Sequence, residues 1–497
     1  GNDVAVSGAI LNLAAAANIG GNQALSVGST STTLGVLGLA FNSLPNLTQS
    51  SADPIIIGVN TTGFTAISSQ SSVGNGNIFL GSTGTGTFAG ASLAAGTGGV
   101  YRLGGGGGTL TVTNGVLSGA NSLVVGSTLT NGGGTVVLGA ANSYTGLTTV
   151  AVGSTLRLSD ASGAFTSAAT ITGGGTLNFN SGTTGGGTRA PALSLNQVTL
   201  SVTGNSTSDT IDTITNALTF NGDNADGFSI VQISPNASQN ARLSAGSLAR
   251  GTPGAVAFFR GDNLGINTIT SQTNGSSNIQ FTAAPTLLGG GDTSGTKISI
   301  IPWAAGAPTA GGGVSTFVTY SATNGIRPLN TGTEFVTTLA AAAATDNVRV
   351  TATEALGGAT TINSLIVQPG AAITISGGSL NVTSGAILIN PSGDSDVTTI
   401  ASDINFGTAQ GVIGVSSNRE TNITGAVSGS GGLVIYSVSS GGGAVDITGG
   451  NVNSSTYTGD TYLLSDVETY TGGSLFFPNG GRTGDMYVYG DWDLADG

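Results

Sequence analysis

The feature that most constrains this chain is a seven-residue beat of paired apolar positions. From Gly370 to Ile389 the sequence reads GAAITISGGSLNVTSGAILI, with pairs at Ile373 and Ile375, Leu380 and Val382, and Ile387 and Ile389. Positions i and i+2 share one face of a strand, so each pair reads as a short strand with one apolar side. Gly377, Gly378 and Gly385 stand between the pairs, where a tight turn favours a residue without a Cβ. The same beat is read at Leu110, Leu117 and Val124, and Leu156 and Leu177 stand 21 residues apart. Three strand-and-turn units therefore make one period of about 21 residues.

Sevens also arise in coiled coils, but a heptad helix needs helix formers and charged flanking positions. This chain offers glycine, threonine and β-branched residues instead, and only 7% of it is charged. The remaining geometry is all-β: a three-faced parallel β-helix, or β-solenoid, with about 21–22 residues per rung and one face per seven residues. At about 4.8 Å per rung the whole chain would make about twenty rungs, on the order of 100 Å. Inward Val, Ile and Leu stack into a core. Outward Thr, Ser and Asn stack into ladders that replace charge as the solubilising layer.

Glycine and serine enrichment alone would suggest a disordered linker. The periodicity and a mean hydropathy of +0.25 oppose that reading. The net charge of −13 is thin over 497 residues, and no basic stripe exists to hold a nucleic acid. Apolar runs such as Leu34 to Phe41 fall short of the roughly 18–20 residues that span a bilayer. There is no Cys and no His, which removes disulfides, thiolate nucleophiles, the usual zinc ligands and His-based triads. A large chain without Cys suits an exported bacterial protein. It opens without an initiator Met or signal peptide and reads as a mature or trimmed piece of something longer.

Two stretches are variants of one phrase. GGTVVLGAANSYTGLTTVAVGSTLRL runs from Gly133 to Leu158, and GAVDITGGNVNSSTYTGDTYLL from Gly443 to Leu464. Both pass through Tyr-Thr-Gly, at Tyr144, Thr145, Gly146 and at Tyr457, Thr458, Gly459. The first copy resembles the autotransporter-associated β-strand repeat, and the second keeps its centre. The resemblance covers about fifty residues. It implies a right-handed parallel β-helix of the passenger type, from a large exported bacterial cell-surface protein, and it implies no single activity. The membrane barrel of an autotransporter is absent from this sequence.

Three regions follow from the pattern: a solenoid at 1–189 with the first repeat, a less regular continuation or lobe at 190–340, and a solenoid at 341–497 with the second repeat. Pro302, Pro308 and Gly311 to Gly313 mark a loop near Trp303, and the alanine run Ala340 to Ala344 marks a join.

No residue is assigned a catalytic, cofactor-binding or metal-ligating role. Asp491, Asp493 and Asp496, with Asp485 and Trp492, lack the glycine and glutamate of an EF-hand loop. Asn221 to Gly227 reads as an Asx-rich turn. Asp209 and Asp212 sit three apart and could approach on one rung, but such pairs arise by chance and no basic partner lies nearby. Gly104 to Gly108 lacks the Lys-Ser/Thr of a phosphate loop and reads as a turn. Tyr457, Tyr462, Tyr470, Tyr487, Tyr489 and Trp492 offer a sugar-stacking strip, or ordinary strand residues.

The expectation is a structural extracellular or cell-surface solenoid, not an enzyme, serving as stalk, filament, matrix or adhesin. With no cap legible at either terminus, end-to-end self-association is its natural variant. A carbohydrate-binding or polysaccharide-degrading β-helix is the alternative. The partners expected are a second copy, a glycan or a cell-surface ligand, with no nucleic acid, no membrane span and no cofactor.

Overall fold

A computed structural model describes residues 4–15, 25–182, 184–222, 228–270, 273–390, 397–415, 421–437, 445–446, 456–464 and 486–489. The protein is all-β, 49% strand and 1% helix, with parallel sheets stacked as a β-solenoid of about 17 turns. The chain forms two compact units. The first comprises Gly1–Thr219, Ile230–Ala249 and Thr273–Thr282; the second comprises Phe220–Ser229, Arg250–Gln272 and Ala283–Gly497.

In the first unit one sheet carries Ile10–Leu13, Val36–Leu39, Ile55–Val59, Ile78–Gly81, Val100–Leu103, Ser122–Val125, Thr148–Val150, Ala169–Thr172 and Leu193–Asn196 in that order. A second carries Thr85–Phe88, Thr109–Val112, Gly134–Leu138, Ser154–Ser159, Thr176–Asn180 and Thr199–Thr203. Each strand pairs in parallel with the strand one rung later, so that like stacks on like. Leu110 lies beside Val136, Val136 beside Leu156, Leu156 beside Leu177 and Leu177 beside Leu200. All five side chains are completely buried. The 21-residue separation of Leu156 and Leu177 is thus one turn of the coil.

The seven-residue beat does not hold in this unit, because the third side is uneven: Val4–Ser7, Leu25–Gly28 and Leu47–Gln49 form a sheet there at first, and later rungs have only a short third side. Short pairs such as Ala141–Asn142 with Ala164–Phe165 supply that third side. Leu110 and Leu117 face the core, but Val124 does not: Leu123 and Val125 are its inward neighbours. The corner between Leu117 and Ser122 is one residue short of the beat, and a one-residue slip turns a strand over. Val124 instead packs outside the coil against Leu34, Val36, Ile56 and Phe79. Segment 127–133 closes over that cluster, where the Leu34 amide donates to the Thr130 carbonyl at 3.0 Å.

The glycine run is a corner, as expected of it. It leads from Val100–Leu103 to Thr109–Val112, and Gly104, Gly105, Gly106 and Gly107 hold φ of +89°, +87°, +82° and +80°. The Gly106 amide donates to the Asn131 carbonyl at 2.7 Å and the Gly107 amide to the Gly133 carbonyl at 2.9 Å.

The second unit contains the three-faced coil. One sheet runs Asn347–Val350, Ser364–Val367, Ala386–Ile389, Gly411–Val415, Leu433–Ser437, Thr461–Leu464 and Met486–Tyr489. The second face runs Glu354–Ala355, Ile373–Ser376, Thr398–Ile400, Thr421–Ile423 and Val445–Asp446. The third runs Ala359–Ile362, Ser379–Val382, Asp403–Asn405 and Val427–Ser428. The three apolar pairs of the beat fall one on each sheet and meet in one core. Rungs vary as corners lengthen: Leu365 pairs with Ile387, Ile387 with Ile413, and Ile435 with Leu463. Such corners explain why about 17 turns form rather than about twenty at a uniform rung length.

Two features of this unit lie outside the simple coil. Ala304–Ala307, Thr316–Ser321 and Gly325–Pro328 form antiparallel neighbours, and Pro308 with Gly311 to Gly313 falls in the loop between the first two. The alanine run opens as a 3-10 turn, Leu339–Ala341. Leu339 is buried at the end of the coil's core, with Val336 and Ala342 packed against the same cluster. Val336 accepts from the Arg349 amide at 2.8 Å and donates to the Asn347 carbonyl at 2.9 Å. This end of the core is therefore closed from within the chain, by an internal cap invisible to an inspection of the termini.

Candidate functional site

The outer faces carry stacked polar side chains, placed by the same register that stacks the core. Thr85, Thr109, Thr135, Thr155, Thr176 and Thr199 are partners on six successive rungs of the first unit. Parallel pairing repeats their hydroxyls every 4.8 Å or so. Two positions along, Thr87, Thr111, Val137, Arg157, Asn178 and Ser201 form a second row. Arg157 Nε donates to Asn178 Oδ1 at 3.2 Å, and Asn178 Nδ2 to Thr203 Oγ1 at 2.9 Å. In the second unit Asn405 Nδ2 donates to Asn381 Oδ1 at 3.1 Å and Asn381 Nδ2 to Thr361 Oγ1 at 3.2 Å. That ladder lines a shallow groove of about 400 Å³ with Thr383, Phe406 and Thr408.

The acidic pair resolves into structure. Asp212 is completely buried and its Oδ1 lies 2.7 Å from Arg189 Nε, also completely buried. The expectation that no basic partner lies near Asp209 and Asp212 is thus corrected. Arg189 is 23 residues from Asp212 in sequence but one rung away in space. Ser181 Oγ and the Gly187 amide also donate to Asp212 at 3.2 Å. Arg189 donates to the carbonyls of Asp160 and Gly163 and to Ser181 Oγ, and its guanidinium lies over the Phe179 ring. Burial pushes the Asp212 carboxyl up, opposed by Arg189, Ser181 and Gly187. Asp209 faces elsewhere and accepts from the Asn240 amide at 2.8 Å. No solvent-facing pair of carboxylates forms here.

A cleft of about 620 Å³ in the second unit was not signalled by the sequence. It is lined by Leu264, Ile266, Pro308, Arg327, Glu334 and Gln368, among others. Arg327 binds Glu334 in a fork, Nη1 to Oε2 at 2.8 Å and Nη2 to Oε1 at 3.1 Å. Glu334 Oε2 also accepts from the Asn330 amide at 2.7 Å, and Gln368 Oε1 accepts from Arg349 Nε at 2.7 Å. The cleft's carboxylate is thus engaged by its own walls. The available clue was an Arg and a Glu flanking the turn-forming Pro328 to Gly332.

The repeated phrase proves to be one local device, built twice. Tyr144 is buried, and its hydroxyl meets Thr148 Oγ1 at 2.7 Å. Tyr457 is likewise buried, and its hydroxyl meets Thr461 Oγ1 at 3.0 Å. In each copy the tyrosine turns into the coil at a corner and bonds the residue four ahead, the start of the next strand or beside it. Burial raises the Tyr144 phenol well above its usual range, and the Thr148 bond opposes that.

No known protein family, curated protein or solved structure matches the chain. The Tyr-Thr corner therefore stands on its own geometry. Tyr144→Phe is expected to cost about 1–3 kcal/mol, because it leaves Thr148 Oγ1 buried without this partner. Adding Thr148→Val should recover most of the loss in a thermal-melt series, which a merely steric role for Tyr144 would not allow.

The aromatic strip is partly corrected: Tyr457 and Tyr462 are buried, at 9% and 7% exposure, not available for stacking a sugar. Tyr487 and Tyr489 lie on Met486–Tyr489, while Tyr470 and the cluster Asp485, Asp491, Trp492, Asp493 and Asp496 lie outside the described residues. So do residues 223–227 of the Asx-rich turn. Among the described residues no three acidic side chains converge on a point that could hold a metal. No helix there is long and apolar enough to cross a membrane.

Proposed function

We propose that the chain is a structural segment of an exported bacterial surface or extracellular protein, a β-solenoid serving as stalk, filament or matrix element, or as part of an adhesin. The observation that carries this reading is the six-rung threonine ladder. It lies outside a continuous apolar column, so the architecture is solved by extension along one axis and solvated by neutral side chains. The Tyr-Thr-Gly phrase supports the same reading through its likeness to autotransporter-associated repeats. Asp212 and Glu334, the carboxylates at the two candidate sites, are each held by an arginine of this chain, which counts against either as a hydrolytic acid or base.

End-to-end association is the assembly this architecture favours. Ile10–Leu13 is the terminal strand of its sheet among the described residues, and Ile10 is 47% exposed. An unpaired strand edge recruits further strands. Light scattering and electron microscopy over a concentration series should show particles lengthening in steps of one molecule. Dispersed rods of constant length at high concentration would count against assembly. Specific binding on a glycan array would favour the alternative, with the Asn381–Asn405 groove as the surface to examine.

A further inference from the structure

We propose that the chain carries a self-cleaving peptide bond, Asp53–Pro54, with Gln49 and Ser51 as the groups that stabilise its transition state. It is the one Asp-Pro bond in the sequence. It lies at a corner between Leu47–Gln49 and Ile55–Val59, with Asp53 exposed. Such a bond is labile by its own chemistry. A proline amide is tertiary, with a nitrogen that accepts a proton more readily than that of an ordinary peptide. An aspartate side chain can reach its own carbonyl carbon to close a five-membered ring.

The fold adds two donors aimed at the reacting oxygen. Gln49 Nε2 donates to the Asp53 carbonyl at 2.8 Å, and Ser51 Oγ donates to it at 3.1 Å. Both are held in place. Gln49 Oε1 accepts from the Asn75 amide at 3.2 Å. Ser51 Oγ accepts from the Ser29 amide at 2.9 Å, which directs its own proton toward Asp53. The corner is clamped from the rungs on either side. Ser29 Oγ donates to the Pro54 carbonyl, Asn75 Nδ2 to the Ser51 carbonyl and Asn77 Nδ2 to the Ala52 carbonyl. A backbone carbonyl at an exposed corner is ordinarily solvated by water. Here two fixed side chains hold it, the arrangement that stabilises an oxyanion when one forms.

The step balances with water as the only co-reactant. The protonated Asp53 carboxyl attacks its own backbone carbonyl carbon, and its proton passes to the Pro54 nitrogen. The carbonyl electron pair moves onto the oxygen that faces Gln49 and Ser51. Collapse breaks the carbon–nitrogen bond, frees Pro54 as a secondary amine and leaves a cyclic anhydride at Asp53. Water opens the anhydride to the two carboxylates of a new C-terminal aspartate. The side chains clamping the corner, Ser29, Gln49, Ser51, Asn75 and Asn77, are all uncharged, so the proton the reaction needs is that of Asp53 and cleavage quickens in mild acid.

The fragments would stay together. Leu47–Gln49 remains paired with Leu25–Gly28, and Ile55–Val59 remains buried and paired with Val36–Leu39. The test is to hold the folded protein at pH 5 and at pH 7.5 and follow intact mass and denaturing gels. The expected products end at Asp53 and begin at Pro54, form faster at pH 5 and co-elute under native conditions. Asp53→Asn should abolish them, and Gln49→Ala with Ser51→Ala should slow them at least tenfold, as loss of oxyanion donors does. Unfolding in urea at pH 5 should also slow them. Absence of cleavage at pH 5 would overturn the proposal, and so would equal rates in the double variant or in urea.

Discussion

Asp212→Ala is expected to be among the most damaging single substitutions in the first unit, costing about 3–5 kcal/mol. It would leave the completely buried Arg189 guanidinium with no carboxylate beside it. Arg189→Met alone should cost a similar amount, since Asp212 would then be the uncompensated charge. The double variant Arg189→Met, Asp212→Leu is expected to recover much of the loss, because apolar side chains of similar volume often replace a buried ion pair without penalty. Denaturant unfolding of the four proteins closes the cycle. Additive losses in the double variant would show that the pair does not act as a unit.

A second large effect is expected at Gly106. A Cβ there would stand 2.5 Å from the Ser82 carbonyl oxygen, on a residue whose φ is +82°. A left-handed conformation costs an L-residue roughly 1–2 kcal/mol, and the clash forces the rung apart as well. Gly106→Ala should therefore lose about 2–4 kcal/mol. Gly107 supplies the control: its φ is +80°, but an added Cβ would meet nothing within 4 Å. Gly107→Ala should show only the conformational part, and the difference between the two melts measures the close approach. Equal losses would mean that backbone conformation alone sets the requirement for glycine.

How much of this was legible in the sequence differed between the two coils. In the second unit the pairs at Ile373, Leu380 and Ile387 gave strand, face and turn at once, because the two corners between Ile375 and Ile387 are as short as the beat implies. In the first unit the same reading failed at Val124, where one residue fewer in the corner turns the strand over. Corner length is set by local turn chemistry and not by the apolar pattern, so periodicity fixes the coil but not every orientation within it. The candidate sites were less legible for a related reason. Asp212 and Arg189 are neighbours through rung stacking, so sequence proximity was the wrong measure of contact. The Tyr-Thr bond, by contrast, was written openly in both copies of the phrase. Its meaning needed only the fact that the tyrosine faces inward. The internal cap at Leu339 escaped notice because five alanines gave a helix too short to matter by itself, whereas its role is to close a core.

The threonine ladder has a consequence for the surroundings in which such a protein works. Surface charges answer to their medium: counter-ions screen them within about 10 Å at 0.1 M salt, and acid neutralises carboxylates. Stacked hydroxyls do neither. With 7% of its residues charged, a coil solvated in this way presents nearly the same face in fresh water, brine or an acidified film. Whatever touches that face must do so through shape and hydrogen bonds, at a range of one water molecule rather than a field that reaches outward.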